Sequence, residues 1–252
     1  MQIARFSHGE SPAYGIVDDG ELVVLRSDPL FDSYQTTGAR VPLEGARLLS
    51  PMIPRSKVIG IGSNYRGSEV PERPAEPLMF LKPNTSVIGP DDPIVLPEYS
   101  SNVVHEPELA VVISRMAKQV PVERASEVVF GYTVANDLGA ADHLGPGARW
   151  VPAKAWDTSC PIGPWIETDL EGLEDGLAVR SYVDGELVIS GSTADMWRGV
   201  AELIAEVSQI FTLLPGDIIL TGTPGAGPVV EGQRVEVEVE GIGRFGNPVV
   251  RR

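Results

Sequence analysis

The chain has 252 residues, 42% of them hydrophobic, and a formal net charge of −15. So acidic a chain lacks the basic footprint that nucleic acid or an anionic membrane requires, although one metal ion or lysine can reverse the sign locally for an anionic substrate. Cys160 is the only cysteine, which excludes an intrachain disulfide and a cysteine zinc cluster.

No apolar run approaches the roughly 18 residues of a membrane span, and MQIARFSHGE has no apolar signal-peptide core, so the expected location is the cytoplasm. With 27 glycines and 22 prolines, a turn-rich β architecture is favoured over a helical bundle. YGIVDDGELVVL, Tyr14 to Leu25, has two apolar arms around Asp-Asp-Gly and reads as a hairpin. A polar stretch from Ser27 to Gly45 follows, and the phrase LLSPMIP leads into KVIGIGSNY. A domain boundary is expected just before that strand, giving a small N-terminal β domain at 1–56 and a larger domain at 57–252.

Beyond Val58, strand-like runs recur between loops rich in proline and glycine: LMFLKP, ELAVVIS, YTVAND, CPIGPWIET, LAVRSYVDGELVI, DIILTGTP and QRVEVEVEG. Arg234 to Glu240 alternates strictly, which predicts a dry face of Val235, Val237 and Val239 and a wet face of glutamates. Thr193 to Leu214 has helical spacing through Val200, Leu203, Ile204, Val207, Ile210 and Phe211, with Thr193 or Asp195 as the cap. A shorter helix is expected over Pro121 to Val129.

The stretch VVHEPELAVVIS, Val103 to Ser114, places Glu106 and Glu108 two residues apart at the head of an apolar run. On a strand their carboxylates share a face. Two readings are open: solvated glutamates at a strand start marked by Pro107, or acids held together by a shared cation. YTVANDLGAAD adds Asp137 at the end of another apolar run, where it can converge with the glutamates. Three carboxylates form an all-oxygen site suited to Mg²⁺, Mn²⁺ or Ca²⁺. With His8, His105 and His143 the only histidines, a histidine-rich zinc or iron centre is not expected.

GIGSNY, the EPEL run, GYTVAND, AKAWDTSCPIGPW, LLPGDIILTGTP and GIGRFGNPV stand in the order found in the fumarylacetoacetate hydrolase family, so that residues 57 to 250 resemble its catalytic domain. The resemblance implies a mainly β protein with some α, a mixed β-roll or sandwich, usually a homodimer. It also implies Mg²⁺ or Mn²⁺ held by Glu106, Glu108 and Asp137. Lys154 matches the family's active-site lysine, while Gly222 and Thr223 match a substrate-carboxylate contact and Tyr65 lies near the pocket wall, where a core tyrosine is an equal reading. The implied substrate is a small 2-oxo acid or its enol, acted on by C–C hydrolysis, decarboxylation or isomerisation through a metal-stabilised enolate.

Four departures stand at the expected pocket. Ser68 occupies the place of the family histidine whose pairing with a glutamate activates water, and a serine hydroxyl is no general base near neutral pH. Glu69 and Glu72 are the acids nearest that place. Ala141 replaces an arginine, Ile189 a glutamine, and GTPGAGP shortens a glycine-rich turn. Hydrolysis needs an activated water, so these losses favour decarboxylation or enol–keto isomerisation. The rival is a catalytically weak relative that binds metal or ligand or serves as a subunit. His143 is either an alternative base or an ordinary loop histidine, and His105, pointing away from Glu106, is read as structural.

Overall fold

Asp19 and Gly20, at φ 48° and 75°, turn Ser11–Asp18 back onto Glu21–Leu25 with Asp18 opposite Glu21. Positive φ at both turn residues matches the right-handed twist of the flanking strands. Asp184 and Gly185, at 50° and 86°, do the same in the second Asp-Gly hairpin. The computed structural model describes residues 1–9, 11–67, 72–145 and 147–251.

The N-terminal strands are continuous with the rest. Gln2–His8 pairs with Ser11–Asp18 and also sets Gln2 and Ile3 beside Glu167 and Ile166. One sheet thus runs through Thr36–Pro42, Glu21–Leu25, Ser11–Asp18, Gln2–His8, Cys160–Glu167, Val129–Asn136, Pro107–Ile113, Ile218–Leu220, Val58–Gly62 and Leu78–Lys82. The polar stretch after the first hairpin holds its edge strand, Thr36–Pro42, exposed along most of its length. A second sheet joins Glu186–Ser192, Ala178–Val183, Arg234–Val239, Gly243–Val250 and Ile94–Val95, and a third small one joins Gly139–Ala140, Val103–His105 and Gly227–Pro228. The fold is mostly β, and the strands among the described residues form no closed barrel.

Pro107–Ile113 is buried on both faces, which explains its unbroken apolar run. Leu109 packs with Val134, Val179, Val237 and Phe245, while Val111 and Ile113 pack with Ile59, Leu203 and Val207. Ala110 and Val112 face the other way, onto Val58, Ile162 and Leu220. Val235, Val237 and Val239 form the expected dry face. Opposite them Glu236 meets Arg244 and Glu238 meets Arg180.

The long helix is shorter than its spacing predicts. It spans Val200–Ile210 and is capped at Gly199, whose N–H donates to Glu202 at 3.3 Å, so neither Thr193 nor Asp195 is its cap. Thr193–Asp195 is a separate 3₁₀ turn. Between them Asn64 takes the backbone donors of Trp197 and Arg198, at 2.7 and 3.0 Å, and keeps that segment extended. The second expected helix is the 3₁₀ segment Val122–Val128. No helix among the described residues is long and apolar enough to cross a membrane.

Candidate metal centre

The two sheet strands that carry the acids end side by side. Proline has no N–H to give a ladder, and the extended chain breaks just before Pro107, between Val103–His105 and Pro107–Ile113, leaving Glu106 in the break. Asn136 and Asp137 fill the gap: the Glu106 N–H donates to Asn136 Oδ1 at 3.1 Å, and the Asp137 N–H donates to the Glu106 carbonyl at 2.9 Å. Glu108 lies opposite Ala135 in the adjoining ladder. Its Oε2 accepts the Gly222 N–H at 2.7 Å. Gly222 sits at φ +95°, where a Cβ would come within 2.9 Å of Asn64 Cβ, so a glycine is needed there.

One carboxylate oxygen from each of Glu106, Glu108 and Asp137 lies within 4.8 Å of the others. Glu108 and Asp137 are 2% and 1% exposed, whereas the Glu106 side chain keeps 14% of its surface open. Lys154 ends the short helix Trp150–Lys154 and reaches Glu106 Oε2 at 2.5 Å and Asp137 Oδ2 at 2.8 Å. It passes Gly139, where a Cβ would stand 3.2 Å from Nζ, and lies 5.3 Å from the centre of the Phe80 ring.

The electrostatics follow from burial and charge count. Burial, then the charges of Asp137 and Glu106, push the Glu108 carboxyl well above the ordinary range. Burial also raises Glu106, against the pull of Lys154. Burial opposes the charge of Asp137 as well, but Lys154 and Lys82 outweigh it and hold that carboxyl low. Lys154 is buried too, yet Asp137 and Glu106 keep it a firm cation, raised above the usual lysine value. Three acids face two ammoniums, so when all are ionised the cluster carries one excess negative charge. Hard oxygens, close spacing and a missing positive charge fit Mg²⁺ or Mn²⁺.

The structure gathers Glu106, Glu108, Asp137, Lys154 and Gly222 in one place, and Tyr65 borders them. Tyr65 is fully buried, and burial followed by the charge of Glu108 raises its pKa. Thr223 is different: its hydroxyl donates to Gly225 O at 2.7 Å and accepts the Gly225 N–H at 3.3 Å, closing its own turn. His143 lies between the Arg149 guanidinium, 2.6 Å from Nδ1, and the Tyr99 carbonyl, 3.3 Å from Nε2. His105 is buried against Gly227 with Nε2 2.8 Å from Ser181 Oγ, and burial pushes its pKa down to about 4. That is the structural histidine the sequence implies. Ile189 is buried beside Gly225, Glu72 is exposed, and Ser68 and Glu69 lie outside the described residues.

Sequence reasoning missed Lys82. It is 1% exposed, and its Nζ stands 2.8 Å from Asp137 Oδ1. The same ammonium donates to Leu138 O at 3.2 Å, Lys154 O at 2.5 Å, Ser159 O at 3.0 Å and Ser159 Oγ at 3.2 Å. One signal was available: in Leu78–Lys82, Leu78, Phe80 and Lys82 are in phase, which puts a lysine on the apolar face of a strand.

Residues 57–250 match the family described as Fumarylacetoacetate (FAA) hydrolase C-terminal, and residues 1–51 match the one described as Rv2993c-like, N-terminal. Oxaloacetate tautomerase fahd2, mitochondrial, of Xenopus laevis is 38% identical over 245 residues, spanning 92% of this chain and 76% of its own. The solved structure of 5-carboxymethyl-2-hydroxymuconate delta-isomerase from Mycobacterium smegmatis superposes with a TM-score of 0.91 at 41% identity, both chains covered in full. Maleylpyruvate hydrolase from Sphingobium sp. SYK-6, solved in complex with manganese (II) ion and pyruvate, superposes with a TM-score of 0.82 at 32% identity, with 100% of this chain and 99% of that chain covered.

Proposed function

This chain belongs to the fumarylacetoacetate hydrolase family, and from that premise we propose that it is a divalent-metal-dependent enzyme that interconverts the enol and keto forms of a small 2-oxo acid. The observation that carries the reading is the buried triad of Glu106, Glu108 and Asp137, left one positive charge short by Lys154 and Lys82. Glu106, Glu108 and Asp137 would hold Mg²⁺ or Mn²⁺. The cation would supply Lewis-acid polarisation of the substrate oxygens.

The chain's own groups do the rest. Lys154 keeps its proton against burial because two carboxylates face it, so it serves as a fixed donor to a developing enolate oxygen or to the substrate carboxylate. Gly222 holds Glu108 in place through its N–H. Tyr65 closes the wall on the Glu108 side. Among the described residues no histidine hydrogen-bonds to a carboxylate of the triad, so a histidine-activated water has no support here. Tautomerisation moves one proton from the enol oxygen to the neighbouring carbon and needs no activated water, and Lys154 with a bound cation would stabilise the enolate between those two transfers. A relative named as a tautomerase and a structural neighbour named as an isomerase support that preference over C–C hydrolysis. We assign the chemistry to residues 57–252, with 1–56 as a small β unit, in a homodimer.

The test uses protein stripped with chelator. Mn²⁺ and Mg²⁺ binding is read by titration calorimetry, and turnover of enol-oxaloacetate, an acylpyruvate and a hydroxydienedioate is followed by ultraviolet absorbance. The expected result is metal-dependent enol–keto conversion that outruns hydrolysis. Absence of metal binding would overturn the centre, and faster hydrolysis would overturn the reaction preference.

A further inference from the structure

Two bare positions on Val58–Gly62 let large apolar side chains settle beside the acids. Gly60 and Gly62 stand opposite Phe80 and Leu78 in the ladder with Leu78–Lys82. A Cβ on Gly60 would come within 2.1 Å of Phe80 Cζ, and one on Gly62 within 2.8 Å of Leu78 Cδ2, so both side chains lie across the glycines. The Phe80 ring stacks on Trp150 with centres 5.5 Å apart and planes at 12°, and its centre is 5.3 Å from Lys154 Nζ. Trp150 and Lys154 are four apart on one short helix and share the face turned to that ring. Phe80 and the half-buried Trp150 thus form an apolar wall that starts at the ammonium contacting Glu106 and Asp137 and runs toward the start of the helix.

The charge count decides what this wall can serve. The three acids and two ammoniums carry one excess negative charge, and a bound divalent cation turns it into one excess positive charge. A single substrate carboxylate cancels that. A second carboxylate on the same molecule would leave the buried cluster negative again, which is costly unless another cation answers it. Among the described residues no cation besides Lys154 and Lys82 lies within ion-pair distance of the acids. The arginines next to Tyr65 and Trp150 in sequence are engaged elsewhere. Arg66 donates to the Ala194 carbonyl and lies 5.7 Å from the centre of the Trp197 ring, and Arg149 Nη2 is 2.6 Å from His143 Nδ1. Residues 68–71, SEVP, include no basic residue.

We propose that Phe80 and Trp150 determine specificity by receiving the arm of the substrate, and that the preferred substrate is a 2-oxo acid with one carboxylate and an uncharged, apolar arm rather than a dicarboxylate. The inference rests on the reading of Glu106, Glu108 and Asp137 as a metal centre that holds the 2-oxo acid end. An apolar arm leaves water against the two rings, whereas a terminal carboxylate would lose its water there and meet no cation.

The experiment titrates three ligands by calorimetry into the full chain stripped with chelator and reloaded with Mn²⁺. Oxalate has no arm. 5-Methyl-2-oxohexanoate and 2-oxoglutarate share an arm that ends in an isopropyl group in one and a carboxylate of similar shape in the other. The wild type is expected to bind 5-methyl-2-oxohexanoate at least about tenfold more tightly than 2-oxoglutarate, the scale on which pockets discriminate by apolar contact and unpaired charge. In Trp150→Ala that ratio should fall by more than about threefold while oxalate affinity stays within about twofold of wild type. Trp150→Arg, which adds the missing cation along the wall, should reverse the order of the two armed ligands. Either variant serves if it keeps the wild-type circular dichroism. A wild-type ratio below tenfold overturns the proposal whatever the variants do. So does a smaller fall in Trp150→Ala, an equal loss of oxalate affinity in it, or an unreversed order in Trp150→Arg. A wild type that binds no oxalate overturns the metal-centre reading instead, which separates the two failures.

Discussion

Two buried aspartates meet lysines in this molecule, and their charge balance differs. Asp217, wholly buried, accepts from Lys57 Nζ at 2.5 Å and from the backbone N–H groups of Lys57 and Leu214 at 3.2 and 2.9 Å. That is one acid and one ammonium with every contact closed, and it ties the start of Val58–Gly62 to the turn before Ile218–Leu220. Asp137 has two ammoniums, Lys82 and Lys154, but Glu106 and Glu108 crowd beside it. A neutral pair is all that folding requires of a buried charge. A buried cluster that remains net negative is destabilising until a proton or a cation joins it. The first arrangement completes itself within the chain, while the second is completed only by something bound.

The comparison can be broken at either end. The largest effect is expected from Asp137→Asn, which leaves the Lys82 ammonium buried with no carboxylate in contact, although Lys154 keeps Glu106. Mn²⁺ affinity should drop by at least about 100-fold in calorimetry, beyond the loss typical of an outer-shell partner. Stability should fall by about 3–5 kcal/mol in urea denaturation. Retained Mn²⁺ affinity would remove Asp137 from the centre.

Lys57→Met attacks the balanced pair instead. It should cost about 3 kcal/mol of stability, since it strands a buried carboxylate, while Mn²⁺ affinity stays within twofold of wild type. If affinity fell in step with stability, the distinction between the two sites would be lost.

The smallest effect has the opposite sign. In chelator, Glu108→Gln should stabilise the protein, because it removes the excess charge while the amide oxygen still accepts the Gly222 N–H. The Glu108 pKa in the folded chain lies above its ordinary 4.5. Over the window from 4.5 up through the folded value, the folded state therefore binds more protons than the unfolded one, and stability falls as pH rises. Each unit of that elevation is worth about 1.4 kcal/mol. Metal-free wild type should lose stability relative to Glu108→Gln between pH 4.5 and 7.5. A constant difference across that range would contradict the charge count.

Much of this was legible before any coordinates. The Asp-Asp-Gly hairpin, the alternating valines of Arg234–Val239 and the apolar run Leu109 to Ile113 all carry local patterns that survive folding. The acids were legible because residues two apart on a strand share a face and a third acid closed a neighbouring strand. The start of Val200–Ile210 was misjudged because Asn64, far away in sequence, takes the donors that would have extended the helix. Thr223 matched a motif for substrate contact, yet its hydroxyl bonds within its own turn.

The sequence by itself determined the strands, whose spacing is local, and suggested the three acids, while resemblance to a family rather than spacing joined those acids as one site and singled out Lys154. Only the tertiary structure decided how the acids are charged. Lys82 reads as an ordinary strand lysine until Leu78–Lys82 is seated beside Val58–Gly62 and its ammonium meets Asp137, 55 positions away. Charge balance in a buried site is a sum over segments that meet only on folding, and the local pattern of no single one contains it.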